Sequence, residues 1–106
     1  MVAMSEIQAL ADRIAEAFRP ERIILFGSHA SGTPGPYSDV DLLVVVPFGD
    51  KSWDMAARIR GRVRPRFPLD LIVRSPGQLR RRLAMGDVFL REVTRHGKVL
   101  YEASNG

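Results

Sequence analysis

The sequence predicts a small α/β (α+β) domain in which a short β-sheet is packed with helices. Three observations lead there. The runs Ile23–Phe26, Val40–Val46 and Leu69–Val73 are apolar, rich in β-branched residues and of strand length. The longer stretches around them carry apolar residues at helical spacing. Glycine and proline mark the junctions. With 106 residues and 45% hydrophobic content, the chain reads as a single domain over 1–106 with one modest core.

In chain order, Ser5 and Gln8 have the form of a capping box. Ile7, Leu10, Ala11, Ile14, Ala17 and Phe18 then share one helical stripe, Asp12, Arg13 and Glu16 lie off it, and Pro20 stops the helix. Ile23–Phe26 is a buried strand that delivers the chain to Gly27. Ser28 to Gly32 forms a turn of helix. Thr33 to Pro36 holds two prolines and a glycine and is loop. The second strand, from about Asp39 to Val46, sets Val40, Leu42, Val44 and Val46 on one face. Its other face begins with Asp39 and Asp41 and continues as Leu43 and Val45, so the strand is buried on both sides beyond its charged entrance. Pro47, Gly49 and Asp50 end it.

Ser52 is the expected cap of a helix from about Trp53 to Arg64, with Met55, Ala56, Ile59 and Val63 inward. Arg58 and Arg62 flank that face on one side, Arg60 and Arg64 on the other. Long side chains at core edges sit this way, and no one-sided basic stripe points to nucleic acid. Pro65 and Pro68 frame a loop before the strand Leu69–Val73. Ser75-Pro76 starts another helix, with Leu79 and Leu83 inward and Arg80, Arg81 and Arg82 pointing three ways. Asp87 caps a last helix whose Phe89 and Val93 pack inward. Gly97 ends it, and Lys98–Tyr101 is an edge strand or a docked tail. Asp50, Asp54 and Asp87 lie at loops and helix starts, where capping accounts for them.

There is no cysteine, which excludes a disulfide framework, thiolate zinc sites and thiol catalysis. No apolar run reaches the length of a membrane span, and the start lacks the layout of a signal peptide. A soluble cytoplasmic protein without a membrane partner is the expectation. The net charge of +4 suits polyanions, and solubility accounts for it equally well.

The chemistry-bearing residues gather around Gly27-Ser28 and Asp39-Val40-Asp41. Alternation puts both aspartates on one face of the strand. Neighbouring carboxylates repel, and a hard divalent cation such as magnesium or manganese offsets the repulsion. Gly27 permits a tight turn and close approach of a ligand to the backbone. Ser28 adds a hydroxyl. Asp70 shares a face with Ile72 and Arg74. A lone aspartate in an apolar strand is costly to bury unless it is paired or binds metal, and an edge aspartate facing water is the other reading.

Gly27-Ser28, ten intervening residues, then Asp39-x-Asp41 and an apolar run resemble the signature of the nucleotidyltransferase superfamily with the DNA polymerase β-like palm. Length and element order resemble its minimal members, the MNT domains (MntA-like antitoxins) paired with HEPN toxins. The resemblance runs from about Ser5 to Tyr101. It implies a small mixed sheet and Asp70 as a third carboxylate beside Asp39 and Asp41. It also implies two magnesium ions, or manganese, held by these three, with Asp70 deprotonating the acceptor. Gly27 and Ser28 would cradle the phosphates of ATP, and AMP would pass to a hydroxyl, a tyrosine, of a HEPN toxin. Two alternatives are an antitoxin that only masks its partner and a small-molecule nucleotidyltransferase; a nucleic-acid role comes last. The chain departs from many relatives by carrying Ser31 where they carry an arginine. His29 beside it is a phosphate contact or an exposed loop residue. No second domain is expected, so the acceptor comes on another polypeptide or sits at an oligomer interface.

Overall fold

The computed structural model of the protein describes residues 2–49 and 51–104. The first helix, α1 (Met4–Phe18), is amphipathic and buries Ile7, Leu10, Ala11 and Ile14. Its start lies ahead of the expected cap. Ala3 is the capping residue, and the Glu6 carboxylate reaches back to accept the Ala3 N–H at 2.9 Å. Ser5 is therefore inside the helix. Gln8 bonds instead to Asp12 Oδ1 and to the Leu100 carbonyl, both at 3.0 Å. Ala17 is exposed, and Ala15 packs against the core in its place. Arg19 adopts a left-handed conformation (φ 50°) and Pro20 follows.

The remaining elements are β1 (Arg22–Phe26), α2 (Ser28–Ser31), β2 (Val40–Val45), α3 (Ser52–Val63), β3 (Leu69–Arg74), α4 (Pro76–Ala84), α5 (Val88–His96) and β4 (Lys98–Glu102). The expected order holds, and Lys98–Tyr101 resolves as a paired strand. Lys51, not Ser52, precedes α3, and Ser52 is its first helical residue. Ser75 and Gln78 form the capping box of α4, and Asp87 Oδ1 accepts the Leu90 N–H at 3.0 Å to start α5. Asp50 lies outside the described residues.

The four strands form one mixed sheet in the order β3-β2-β1-β4. β1 is antiparallel to both neighbours, and β2 runs parallel to β3. A parallel pair needs a crossover, which α3 supplies. The alternation along β2 separates two cores. Val40, Leu42, Val44 and Val46 pack with α1 and α3 on one face. Leu43 and Val45 pack with Ile24, Leu79, Leu90 and Val93 under α4 and α5 on the other. Within α5 it is Leu90 that is buried, while Phe89 is half exposed and meets Phe26 edge to face, ring centres 5.5 Å apart.

β4 closes the β1 edge with a bulge. Ile23 pairs with Tyr101 and Ile24 with Val99, which leaves Leu100 as the extra residue. The bulge lets Leu100 and Tyr101 both touch the α1 side of the sheet, and Gln8 satisfies the Leu100 carbonyl. Among the described residues, no helix is long and apolar enough to cross a membrane.

Candidate active site

β1 ends at Phe26, and the chain turns at Gly27 with φ 74° and ψ −157°, a combination nearly confined to glycine. The Gly27 carbonyl accepts the N–H groups of Ala30 and Ser31, which closes the single turn of α2. The amides of Ser28 and His29 open that turn and have no bond within it. Gly27 lies directly against Asp41, and a Cβ placed there would run into Asp41 Oδ2.

The strand register sets the carboxylates. Asp41 lies opposite Phe26 across the antiparallel pair and opposite Asp70 across the parallel pair. β2 and β3 thus bring together two aspartates that are far apart in sequence. Partial burial raises the Asp41 pKa above the ordinary aspartate range. The negative charges of Asp70 and Asp39 and a hydrogen bond with Asp70 push the same way, while nearby His29 pulls slightly back. Asp39 and Asp70 are exposed, and Asp39 lies just before β2.

His29 is not the exposed loop residue that the sequence suggested as one reading. It is only 8% exposed. Its Nδ1 lies 3.1 Å from the Asp39 carbonyl oxygen. A carbonyl only accepts, so Nδ1 carries the proton and donates it. Nε2 is buried and has no hydrogen-bond partner among the described residues. His29 thus ties the turn after Gly27 to the backbone of the first aspartate. Ser31 folds back onto its own turn. Its Oγ lies 3.3 Å from the Gly27 carbonyl, 3.2 Å from that of Ser28 and 3.0 Å from Thr33 Oγ1.

Among the described residues, no three His, Cys, Asp or Glu side chains are gathered into a ready metal shell. The register brings Asp41 and Asp70 together, with Asp39 two residues along the chain. This arrangement fits a hard divalent cation. The donors are all carboxylate oxygens, and magnesium commonly takes one or two carboxylates with substrate phosphates and water. The same charge crowding that raises the Asp41 pKa is what a cation would relieve.

One neighbour of the site escaped the sequence. A groove of about 250 Å³ opens beside Gly27, walled by Phe26, Ala30, Phe89, Val93 and Gly97. The sequence pattern set Phe89 on the inward stripe of its helix, whereas it stands half exposed at this groove.

Residues 7–102 match the family described as the nucleotidyltransferase domain. The chain belongs to that family. No curated protein matches the sequence at a significant level. Among solved structures, the nucleotidyltransferase-domain chain is similar to a protein of Sulfolobus solfataricus assigned as a nucleotidyltransferase. That pair shares 22% identity and a TM-score of 0.66, over 97% of this chain and 83% of the other. It is also similar to a toxin–antitoxin structure determined with AMP-PNP, at 22% identity and TM-score 0.60, covering 92% of this chain and 74% of that one. A mutant MntA–HpeT toxin–antitoxin structure gives 18% identity and TM-score 0.56 over the same shares. At these identities the likeness establishes the fold, a polymerase β-like nucleotidyltransferase domain with a four-stranded mixed sheet and five helices.

Proposed function

We propose that this nucleotidyltransferase domain transfers AMP from ATP to a hydroxyl on a partner protein, a tyrosine of a HEPN toxin, and so acts as the antitoxin in the cytoplasm. The observation that carries the reading is the Asp41–Asp70 pairing against the Gly27 turn. It supports the reading because crowded carboxylates beside a glycine backbone suit a cation and a phosphate together. The toxin–antitoxin and AMP-PNP contexts of the similar structures support the choice of partner and donor.

In this reading Asp39, Asp41 and Asp70 would hold two magnesium ions, or manganese in their place, which when bound would neutralise charge on the triphosphate and lower the pKa of the attacking hydroxyl. Gly27 lets the chain approach the β- and γ-phosphates, and the Ser28 hydroxyl and the first amides of α2 bind them. The acceptor oxygen bonds to the α-phosphorus as the bond to the bridging oxygen breaks. Pyrophosphate leaves, and Asp70 takes the proton of the acceptor. Asp70 suits that task because it is the exposed member of the Asp41–Asp70 pair.

The test is intact mass spectrometry of the partner after incubation with this chain, ATP and magnesium, beside an Asp39→Asn/Asp41→Asn control. A gain of whole AMP units that the control lacks is the expected result. A tight complex without mass gain would overturn it. A second reading is an antitoxin that neutralises by masking, favoured by Ser31, whose hydroxyl stays on its own turn and is not offered to a phosphate. It predicts that the Asp39→Asn/Asp41→Asn variant neutralises the partner as well as wild type does.

A further inference from the structure

A second charged site lies at the opposite end of the same sheet face. β3 carries Asp70, Ile72 and Arg74 on one side, so Arg74 stands four residues, about 13 Å, beyond Asp70. There a concavity of about 330 Å³ is lined by Ser52, Arg74, Gln78, Arg81 and Arg82. Three arginines therefore share its wall. Among the described residues they meet one carboxylate, with Arg82 Nε 3.2 Å from Asp87 Oδ2. Arg74 spends one donor on the Val73 carbonyl at 2.8 Å, which leaves the rest of its fork available.

Like charges drawn into one hollow repel each other, as the aspartates do at the other end. We infer that this hollow is a second binding site, one that takes a linear polyphosphate group. Planar guanidinium forks match phosphate oxygens two at a time, and three forks match a chain of phosphates better than a single carboxylate. Gln78 and Ser52 add neutral donors. Among the described residues no aromatic ring lines the hollow, so none there offers a face on which a base stacks, as single-stranded nucleic acid binders do. The neighbouring exposed ring, Trp53, has Lys51 Nζ 5.3 Å above its centre. The inference does not depend on the reaction proposed above.

Trp53 is the only tryptophan and follows Ser52 directly, so its fluorescence reports on the hollow. Inorganic tripolyphosphate is titrated into the full chain in EDTA at fixed ionic strength, with amide spectra recorded in parallel. Saturable one-site binding is expected, with shifts centred on Ser52, Arg74 and Arg81. Arg74→Gln/Arg81→Gln should weaken binding at least tenfold, by the loss of two charge-assisted contacts. Asp39→Asn/Asp41→Asn and Arg58→Gln/Arg62→Gln should leave it within about twofold, because contacts at separate sites act independently. ATP under the same conditions separates the sources. Binding as tight as tripolyphosphate points to a nucleotide tail, and absence of ATP binding points to inorganic polyphosphate. Unsaturable binding, equal loss in the Arg58/Arg62 control, or shifts centred on Ser28–Gly32 would each overturn the assignment. So would tighter, steeply salt-dependent binding of a single-stranded oligonucleotide that displaces tripolyphosphate. The wild-type shift map decides the point even where a variant folds poorly.

Discussion

Adding one methyl group at Gly27 strains the candidate site most directly. At φ 74° and ψ −157°, any other residue pays about 1–3 kcal/mol in backbone strain. The new Cβ would also run into Asp41 Oδ2 and lie 3.2 Å from Asp41 Cγ. Asp41 cannot retreat easily, because β2 is paired on both edges. Overpacking of this kind costs about another 1–3 kcal/mol. Gly27→Ala should therefore lose about 2–6 kcal/mol from a domain whose whole stability is of order 5–15 kcal/mol. In urea the unfolding midpoint should fall by about 1 M or more. Manganese affinity should drop at least about tenfold as the carboxylate is displaced. Gly32→Ala is the control. It too has a positive φ, 78°, but ψ is 17° and nothing lies within 4 Å of its Cβ position. Its cost should stay near 1–2 kcal/mol, and its metal affinity should match wild type. Equal urea midpoints and equal manganese affinities for the two variants would refute the reasoning.

Three further outcomes are expected. Folding raises the Asp41 pKa, so the folded chain holds that proton more tightly than the unfolded chain. Metal-free stability should therefore rise as pH falls from neutral through the raised value towards the ordinary aspartate range. Asp41→Asn should be the more stable protein at pH 7 without metal, and its advantage should vanish across that window; an advantage that grows on acidification contradicts the assignment. His29→Phe keeps the ring volume but removes the Nδ1 bond to Asp39. It should lose about 1 kcal/mol in chemical denaturation and several-fold in manganese affinity, with His29→Asn recovering much of the latter; unchanged affinity in the Phe variant would show that the tether does not position Asp39. Gly97 has an ordinary φ, but a Cβ there meets Ile24 Cγ2, the Val93 carbonyl and, at 3.0 Å, the Leu25 carbonyl. Two of these are backbone atoms that cannot swing away, so Gly97→Ala should cost about 1–3 kcal/mol and lower the calorimetric midpoint by about 5–20 °C; an unshifted midpoint would mean that α5 is free to move off the sheet.

The elements were legible in the sequence because each follows from a local rule. Period-two alternation marked out the strand, which runs Val40–Val45 with Asp41 inside it and Asp39 just before it, and proline and glycine set where helices stop. The two-sided burial of β2 followed from its apolar run, and Ser75 and Asp87 were readable caps. The α1 and α3 starts were less so. Glu6 reached a backbone N–H one turn back, and Lys51 preceded α3 without any side-chain cap, so the nearest serine was a poor guide. Phe89 and Leu90 are neighbours, and only the angle at which α5 meets the sheet decides which one is buried.

The candidate site divides in the same way. Gly27, Ser28, Asp39 and Asp41 form one short stretch, so sequence alone singled them out. The place of Asp70 beside Asp41 was implied by the family resemblance and is set by strand register, while the burial of His29 against Asp39 and the lining of one hollow by Arg74, Arg81 and Arg82 came only with the tertiary structure. Each joins residues through strand register or helix docking. Those depend on how whole faces pack, which no local spacing encodes.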